Sequence, residues 1–340
     1  MRYGKFLKKD GTIGFVAPSF GCNIEPYRSG FDRAQKVFAQ MSYRSLPGPN
    51  AYEGSGIGIS NSPVACAEEF TDWYERDDTD VLISCGGGEL MCETIGEIDF
   101  ERIRKAPAKW FMGYSDNTNL TFLLPTLCDT AAIYGPCAAT FGMDPWHRSL
   151  YDAMEILTGQ RRSVSGYKGW EKESLKTEDN PFASYNITEK SRYICPPGGE
   201  TVMEGRLLGG CLDTLSILCG TVYDRVREFA DRYKEDSVIW FLESCDLTPM
   251  GVRRALWQLS RAGWFDNAAG FIIGRPYHYG EEMLGLDQYS AVTGILGERN
   301  LPLVMDADIG HLPPMMPLIT GSKSLVRANE KELHIEMSLV

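Results

Sequence analysis

The sequence is short of basic residues, of histidine and of long apolar runs. Its 34 Lys and Arg stand against 46 Asp and Glu, a formal net charge of −12. Without a basic excess there is little to meet a phosphate backbone, which argues against nucleic acid or an anionic membrane as the main partner. A local cationic pocket for one small anion remains compatible with that balance. No run approaches the roughly 20 apolar residues that a spanning helix needs. The opening MRYGKFLKKDGTIGFVAPSF lacks a sustained apolar stretch followed by a small-residue cleavage site, so no secretory leader is expected. The expectation is a soluble, cytoplasmic protein. None of the ten cysteines stands in a C-x-x-C pair. Most lie inside apolar segments (Cys85, Cys128, Cys137, Cys211, Cys219, Cys245), where small buried thiols belong. Neither disulfides nor a structural zinc site is expected.

What is present is enough apolar material for a large core, 43% of 340 residues, and a length that suggests two domains. Short apolar strands alternate with helical stretches. TIGFVAPS (Thr12–Ser19), DVLISCGGG (Asp80–Gly88) and KWFMG (Lys109–Gly113) read as strands; Tyr27–Met41, Pro63–Asp78 and a stretch from Glu89 read as helices. Such alternation implies βαβ units and a parallel sheet with helices on both faces. Between about Gly159 and Gly199 the pattern collapses into polar sequence, the mark of a connection or a long functional loop. A second unit then begins, with strands at Ser237–Glu243, AAGFIIGRP and LPLVMDADIG. Helices are expected over Thr248–Phe265 and near Leu286–Gly297, and a hairpin in SLVRANEKELHIEM. The expected division is 1–160, a connecting segment 161–200, and 201–340.

The stretch WFMGYSDNTNLTFLL (Trp110–Leu124) stops a strand at Ser115 and starts a helix at once. A strand–Ser–helix turn lifts a hydroxyl clear of the sheet and aims a helix N-terminus at any oxyanion formed there. The plainer reading is a helix cap, with Ser115 or Asp116 satisfying free amides. A nucleophilic serine needs a base, and there are four histidines. His334 lies within a strand and His147 in a loop. His311 and His278 both follow strands, and position ranks His311 only just ahead. Glu243 ends the apolar strand VIWFLE, where an unpaired carboxylate would be costly to bury. Ser115, Glu243 and His311 thus share one address, the end of an apolar strand. The glycines in SCGGGELMCE let a backbone approach a ligand closely. They could supply oxyanion donors or, as Gly86–Gly88, cradle a phosphate in a nucleotide-binding kinase, although neither G-x-G-x-x-G nor a P-loop is matched. Cys85 sits inside the strand before them and is a poor nucleophile candidate.

Together these segments resemble the LD-carboxypeptidase family of serine peptidases, which includes the microcin C immunity peptidases. IGFVAPS, ISCGGGE, GYSDNT, GRLLGGCLDTLSILCGT, FLE and DIGH carry the resemblance over nearly the whole chain. It implies an N-terminal flavodoxin-like α/β domain, a C-terminal swivelling β/α/β-type domain and a homodimer. It further implies a Ser115–His311–Glu243 triad, with the amides of Gly87 or Gly88 and of Asp116 as oxyanion donors, an acyl-enzyme intermediate, and no need of a metal or cofactor. Two substrate classes are implied: murein tetrapeptides ending in D-alanine, and aminoacyl-nucleotides of the microcin C type. Trp170 is a candidate to stack on a nucleobase, or else an anchor for its loop, and Glu89 a candidate substrate contact. A phosphate-binding kinase and a non-catalytic small-ligand binder are the alternatives.

Overall fold

Thr12–Val16 is buried at all five positions, as a strand must be when both faces of its sheet are covered. In the computed structural model, which describes residues 1–340, it lies inside a six-stranded sheet. The order is Leu318–Thr320, Ala132–Tyr134, Trp110–Gly113, Val81–Ser84, Thr12–Val16, Arg44–Pro47. Counted along the chain, the five parallel strands run 2-1-3-4-5, the flavodoxin-like order. The strand order reverses between Thr12–Val16 and Val81–Ser84, and such a switch point opens a crevice at the strands' carboxyl ends. Ser19 and the Gly86–Gly88 turn follow those two strands, and Ser115 follows the next.

The connecting helices start on recognisable signals. Ser62 accepts from the Ala65 amide and Pro63 takes the first helical position of Pro63–Glu75, both favourable at a helix N-terminus. That helix ends at Glu75, short of the expected Asp78, because Arg76 turns outward to pair with Asp78. The helix expected from Glu89 is one turn, Met91–Thr94; the chain then restarts as Phe100–Lys105, capped by Asp99.

The second sheet has seven strands, ordered Leu303–Ala307, Ala268–Gly274, Val238–Glu243, Thr201–Cys211, Lys323–Ala328, Leu333–Ser338, Ser163–Ser165. The first four are parallel and the last three antiparallel. Each sheet borrows an edge from elsewhere in the chain. Leu318–Thr320 returns to close the first sheet beside Ala132–Tyr134, and Ser163–Ser165 closes the second beside Leu333–Ser338. Strands of three residues carry no readable period, so neither crossing was expected. The pattern-free stretch also holds an antiparallel ribbon, Gly169–Glu171 with Ile187–Lys190.

The sheets are packed across a shared apolar interior. The fully buried Phe122, on the helix Thr118–Cys128, stacks 5.2 Å from Trp264, and Tyr134 lies 5.3 Å from Phe241. The same helix touches the end of Thr201–Cys211, where the Cys211 amide donates to Thr118 Oγ1 at 3.0 Å. Gly210 is required there: its φ is +143°, and a Cβ would sit 2.6 Å from Thr118 Cγ2. The helix that begins just after Ser115 is therefore seated on the second sheet. No helix is long and apolar enough to cross a membrane.

Candidate active site

Ser115 has φ +64°, a left-handed conformation that a non-glycine residue adopts only when its surroundings enforce it. The enforcement comes from both sides of the turn. The Asn117 amide donates to the Tyr114 carbonyl at 3.2 Å, and Asn117 Nδ2 donates to the Gly86 carbonyl at 2.7 Å. The buried Asp116 carboxylate accepts from Ser19 Oγ, from the Met91 amide at 2.9 Å and from Asn119 Nδ2 at 3.0 Å. The side chain of Asp116 thus ties the serine turn to the segments around the switch point.

His311 Nε2 lies 2.9 Å from Ser115 Oγ, and His311 Nδ1 lies 2.8 Å from Glu243 Oε2. A carboxylate can only accept, so Nδ1 carries the proton toward Glu243 and Nε2 is left to accept from the serine hydroxyl. Glu243 ends Val238–Glu243 and is fully buried, while His311 follows Leu303–Ala307 and keeps a small exposed edge. Burial opposes charge on His311, yet the adjacent Glu243 and Cys245 outweigh it and hold the imidazole pKa well above the ordinary value. Burial likewise opposes ionisation of Glu243, and His311, Tyr134 and Cys211 outweigh that, holding its pKa down. Gly310 has φ +106°, and a Cβ there would meet Glu243 Oε2 at 2.5 Å. Only glycine lets the histidine loop pass so close to the carboxylate.

The glycine turn lies directly against the serine. A Cβ at Gly87 would sit 3.2 Å from Ser115 Oγ, and one at Gly88, whose φ is +153°, would sit 1.9 Å from Ser19 Oγ. Its carbonyls are turned away: that of Gly86 accepts from Ser84 Oγ and Asn117 Nδ2, and that of Gly87 from the Phe20 amide at 2.8 Å. Beside Ser115 opens a cavity of about 80 Å³ that includes Gly88, Glu89, Cys92, Asp213, Cys245 and Asp246 in its lining and neither Lys nor Arg.

Ser115, Glu243, His311, Gly87, Gly88 and Asp116 are brought together, and Glu89 is exposed on the cavity's lining. Trp170 is not. It is 5% exposed, 4.9 Å from the Tyr279 ring, with the Arg275 guanidinium 5.1 Å over its face. It lines a separate hollow with Lys190, Arg192, Arg275 and Tyr279, and the neighbouring Glu171 amide donates to the Pro313 carbonyl beside the histidine loop. Cys85 is fully buried, and burial pushes its thiol pKa up. His278 pairs with Glu281, His147 caps the helix Arg148–Leu157, and His334 meets Ser165.

Three contributors were not foreseen. Tyr134 donates to Glu243 Oε1. Ser19 donates to Asp116. Asp308, wholly buried, pairs with Arg275 and accepts from Tyr193 Oη and the Tyr167 amide, both at 2.7 Å, three residues before His311. Ser19 and Tyr134 share the strand-end address of the others; their residue types simply raise no suspicion.

Residues 13–135 match the family model for the LD-carboxypeptidase N-terminal domain, and residues 204–326 that for the LD-carboxypeptidase C-terminal domain. The microcin C7 self-immunity protein MccF of Escherichia coli is 24% identical over 95% of this chain and 92% of its own length. A probable murein peptide carboxypeptidase of Bacillus subtilis is 27% identical over 98% of this chain and 93% of its own. Among solved structures, an MccF-like protein from Bacillus anthracis superposes with TM-score 0.85 at 20% identity over all of both chains. MccF in complex with glutamyl sulfamoyl guanosine superposes with TM-score 0.81 at 21% identity over 98% of both.

Proposed function

The chain belongs to the LD-carboxypeptidase family, and we propose that it is a serine-type hydrolase that cleaves a carboxyl-terminal amide bond through Ser115, His311 and Glu243. The observation that carries this reading is the unbroken run of contacts from Ser115 Oγ to His311 at 2.9 Å and from His311 to Glu243 at 2.8 Å. His311 Nε2 takes the serine proton as Oγ attacks the carbonyl carbon, and Glu243 steadies the imidazolium through Nδ1–H. In this reading the oxyanion is assigned to the amides of Gly87 or Gly88 and of Asp116, the last at the start of a helix. His311 then returns the proton to the leaving amine, and water, activated by the same nitrogen, releases the acyl group from Ser115.

For the substrate, the cavity speaks against a phosphate close to Ser115. Glu89, Asp116, Asp213 and Asp246 line it without a basic side chain to oppose them. Burial, then the nearby Asp246, Asp116 and Asp213, push the Glu89 pKa up. This favours a peptide bearing a free ammonium group over an anionic aminoacyl-nucleotide, and it disfavours a kinase acting on a triphosphate. The second reading, an aminoacyl-nucleotide hydrolase, rests on the likeness to MccF, solved with glutamyl sulfamoyl guanosine and with aspartyl sulfamoyl adenosine. A fluorophosphonate probe tests the chemistry: it labels Ser115 in the folded protein and not Ser115→Ala. Unlabelled folded protein overturns the serine-hydrolase reading. Parallel assays on a murein tetrapeptide and an aminoacyl sulfamoyl nucleoside decide the substrate.

A further inference from the structure

Tyr134 is fully buried at the end of the strand Ala132–Tyr134. A phenylalanine would fill nearly the same space without a polar atom to satisfy, so the hydroxyl needs an explanation. It has one proton and two lone pairs. The proton goes to Glu243 Oε1, and the oxygen faces the Ser115 amide, which donates at 3.4 Å. Glu243 Oε2 meanwhile faces His311 Nδ1 at 2.8 Å. One phenol from the first sheet therefore touches the backbone of the nucleophile and the far oxygen of a carboxylate from the second.

We propose that Tyr134 is a positioning residue: by bonding Oε1 it fixes the rotation of the Glu243 carboxylate, so that Oε2 receives His311 Nδ1–H while Nε2 takes the proton from Ser115. This rests on the Ser115–His311–Glu243 reading above. A terminal carboxylate torsion is broad, so a glutamate held by His311 alone is free to swing. With Oε1 bonded to Tyr134, the arriving Nδ1–H finds Oε2 already aimed. The tyrosine is itself held, its ring 5.3 Å from Phe241 and edge-on to Tyr114 at 6.3 Å. Tyr114 in turn lies 5.2 Å from the His311 ring. Burial pushes the Tyr134 pKa up, so the phenol keeps its proton and remains a donor through the working range of a histidine base.

Removing the donor makes Glu243 more basic, which stabilises the imidazolium and raises the His311 pKa. Since the base must be neutral to act, the acid limb of kcat/KM then moves to higher pH. Tyr134→Phe is expected to lower kcat about 10- to 100-fold, the loss of one hydrogen bond to a charged group, with KM unchanged and the acid limb moved up. Tyr134→Phe combined with Glu243→Gln is expected to cost no more than Glu243→Gln alone. Site-specific 3-fluorotyrosine at 134 keeps the shape and strengthens the donor, so it moves the limb down; this arm decides the matter if Tyr134→Phe does not fold. A limb unmoved by both changes, or additive losses in the double variant, overturns the role of Tyr134. A merely structural tyrosine would lower the melting temperature and leave the limb in place. If wild-type Ser115 is labelled by a fluorophosphonate and the limb still does not move, this inference falls and the serine-hydrolase reading stands.

Discussion

The two sheets supply the site in different currencies. The first provides backbone: Ser115 at φ +64°, Gly88 at φ +153°, and a glycine turn whose Gly86 and Gly87 carbonyls are bonded away from the serine. The second provides charge: Glu243, sealed at a strand end, and His311 on a loop that Gly310 lets pass beside it. Conformation is held by many small bonds, whereas a buried charge is held by a few strong ones. Damage to the first should accordingly be graded, and damage to the second abrupt.

Four variants or measurements sharpen that contrast. Ser115→Ala removes the group both halves serve and should lower kcat by at least about 10⁴-fold with the fold intact; residual turnover above that level would move the nucleophile elsewhere. Glu243→Gln should cost about 10³- to 10⁴-fold, because the amide can no longer fix the imidazole tautomer, and steady-state kinetics at fixed pH measure it. Gly88→Ala, which must displace Ser19 from a Cβ contact of 1.9 Å, should cost about 10²-fold, the scale of one lost oxyanion donor. A Gly88→Ala loss equal to that of Glu243→Gln would erase the distinction between the halves. Last, the acid limb of kcat/KM should have its midpoint above 6.5, the ordinary histidine value. Glu243 favours the protonated form of His311, only the neutral form accepts the Ser115 proton, and activity therefore rises with pH through the elevated pKa. A limb at or below 6.5 would mean that Glu243 does not act on the ring.

Stability should show the same contrast. Asp308→Asn leaves Arg275 buried, 1% exposed, with a neutral partner, and should destabilise the fold by about 3–5 kcal/mol, read by chemical denaturation.

What the sequence disclosed follows the same division. Charged residues closing apolar strands, Glu243 after VIWFL and His311 after DIG, are conspicuous because burying them unpaired is costly. The serine was legible only as an abrupt change of period, which a helix cap explains equally well; its positive φ is a three-dimensional fact. Tyr134 was invisible because a tyrosine in a strand is ordinary core material until its hydroxyl is traced. Asp308 was hidden because its partners Tyr167, Ser191 and Tyr193 lie in the stretch without periodicity. The alternation of elements gave the parallel sheets, whereas the short edge strands Leu318–Thr320 and Ser163–Ser165 leave no pattern to read.

Those exchanged edges set an order of events during synthesis. Ala132–Tyr134 carries the tyrosine that meets Glu243, and its outer neighbour is Leu318–Thr320. On the ribosome the first five strands are made early, but their sheet keeps an open flank until residue 320 has emerged. The nascent chain must wait with that edge unpaired while five of the second sheet's seven strands are translated. A truncated product ending before Leu318 would retain Ser115, Glu243 and His311 and still lack the strand that closes the flank beside Tyr134.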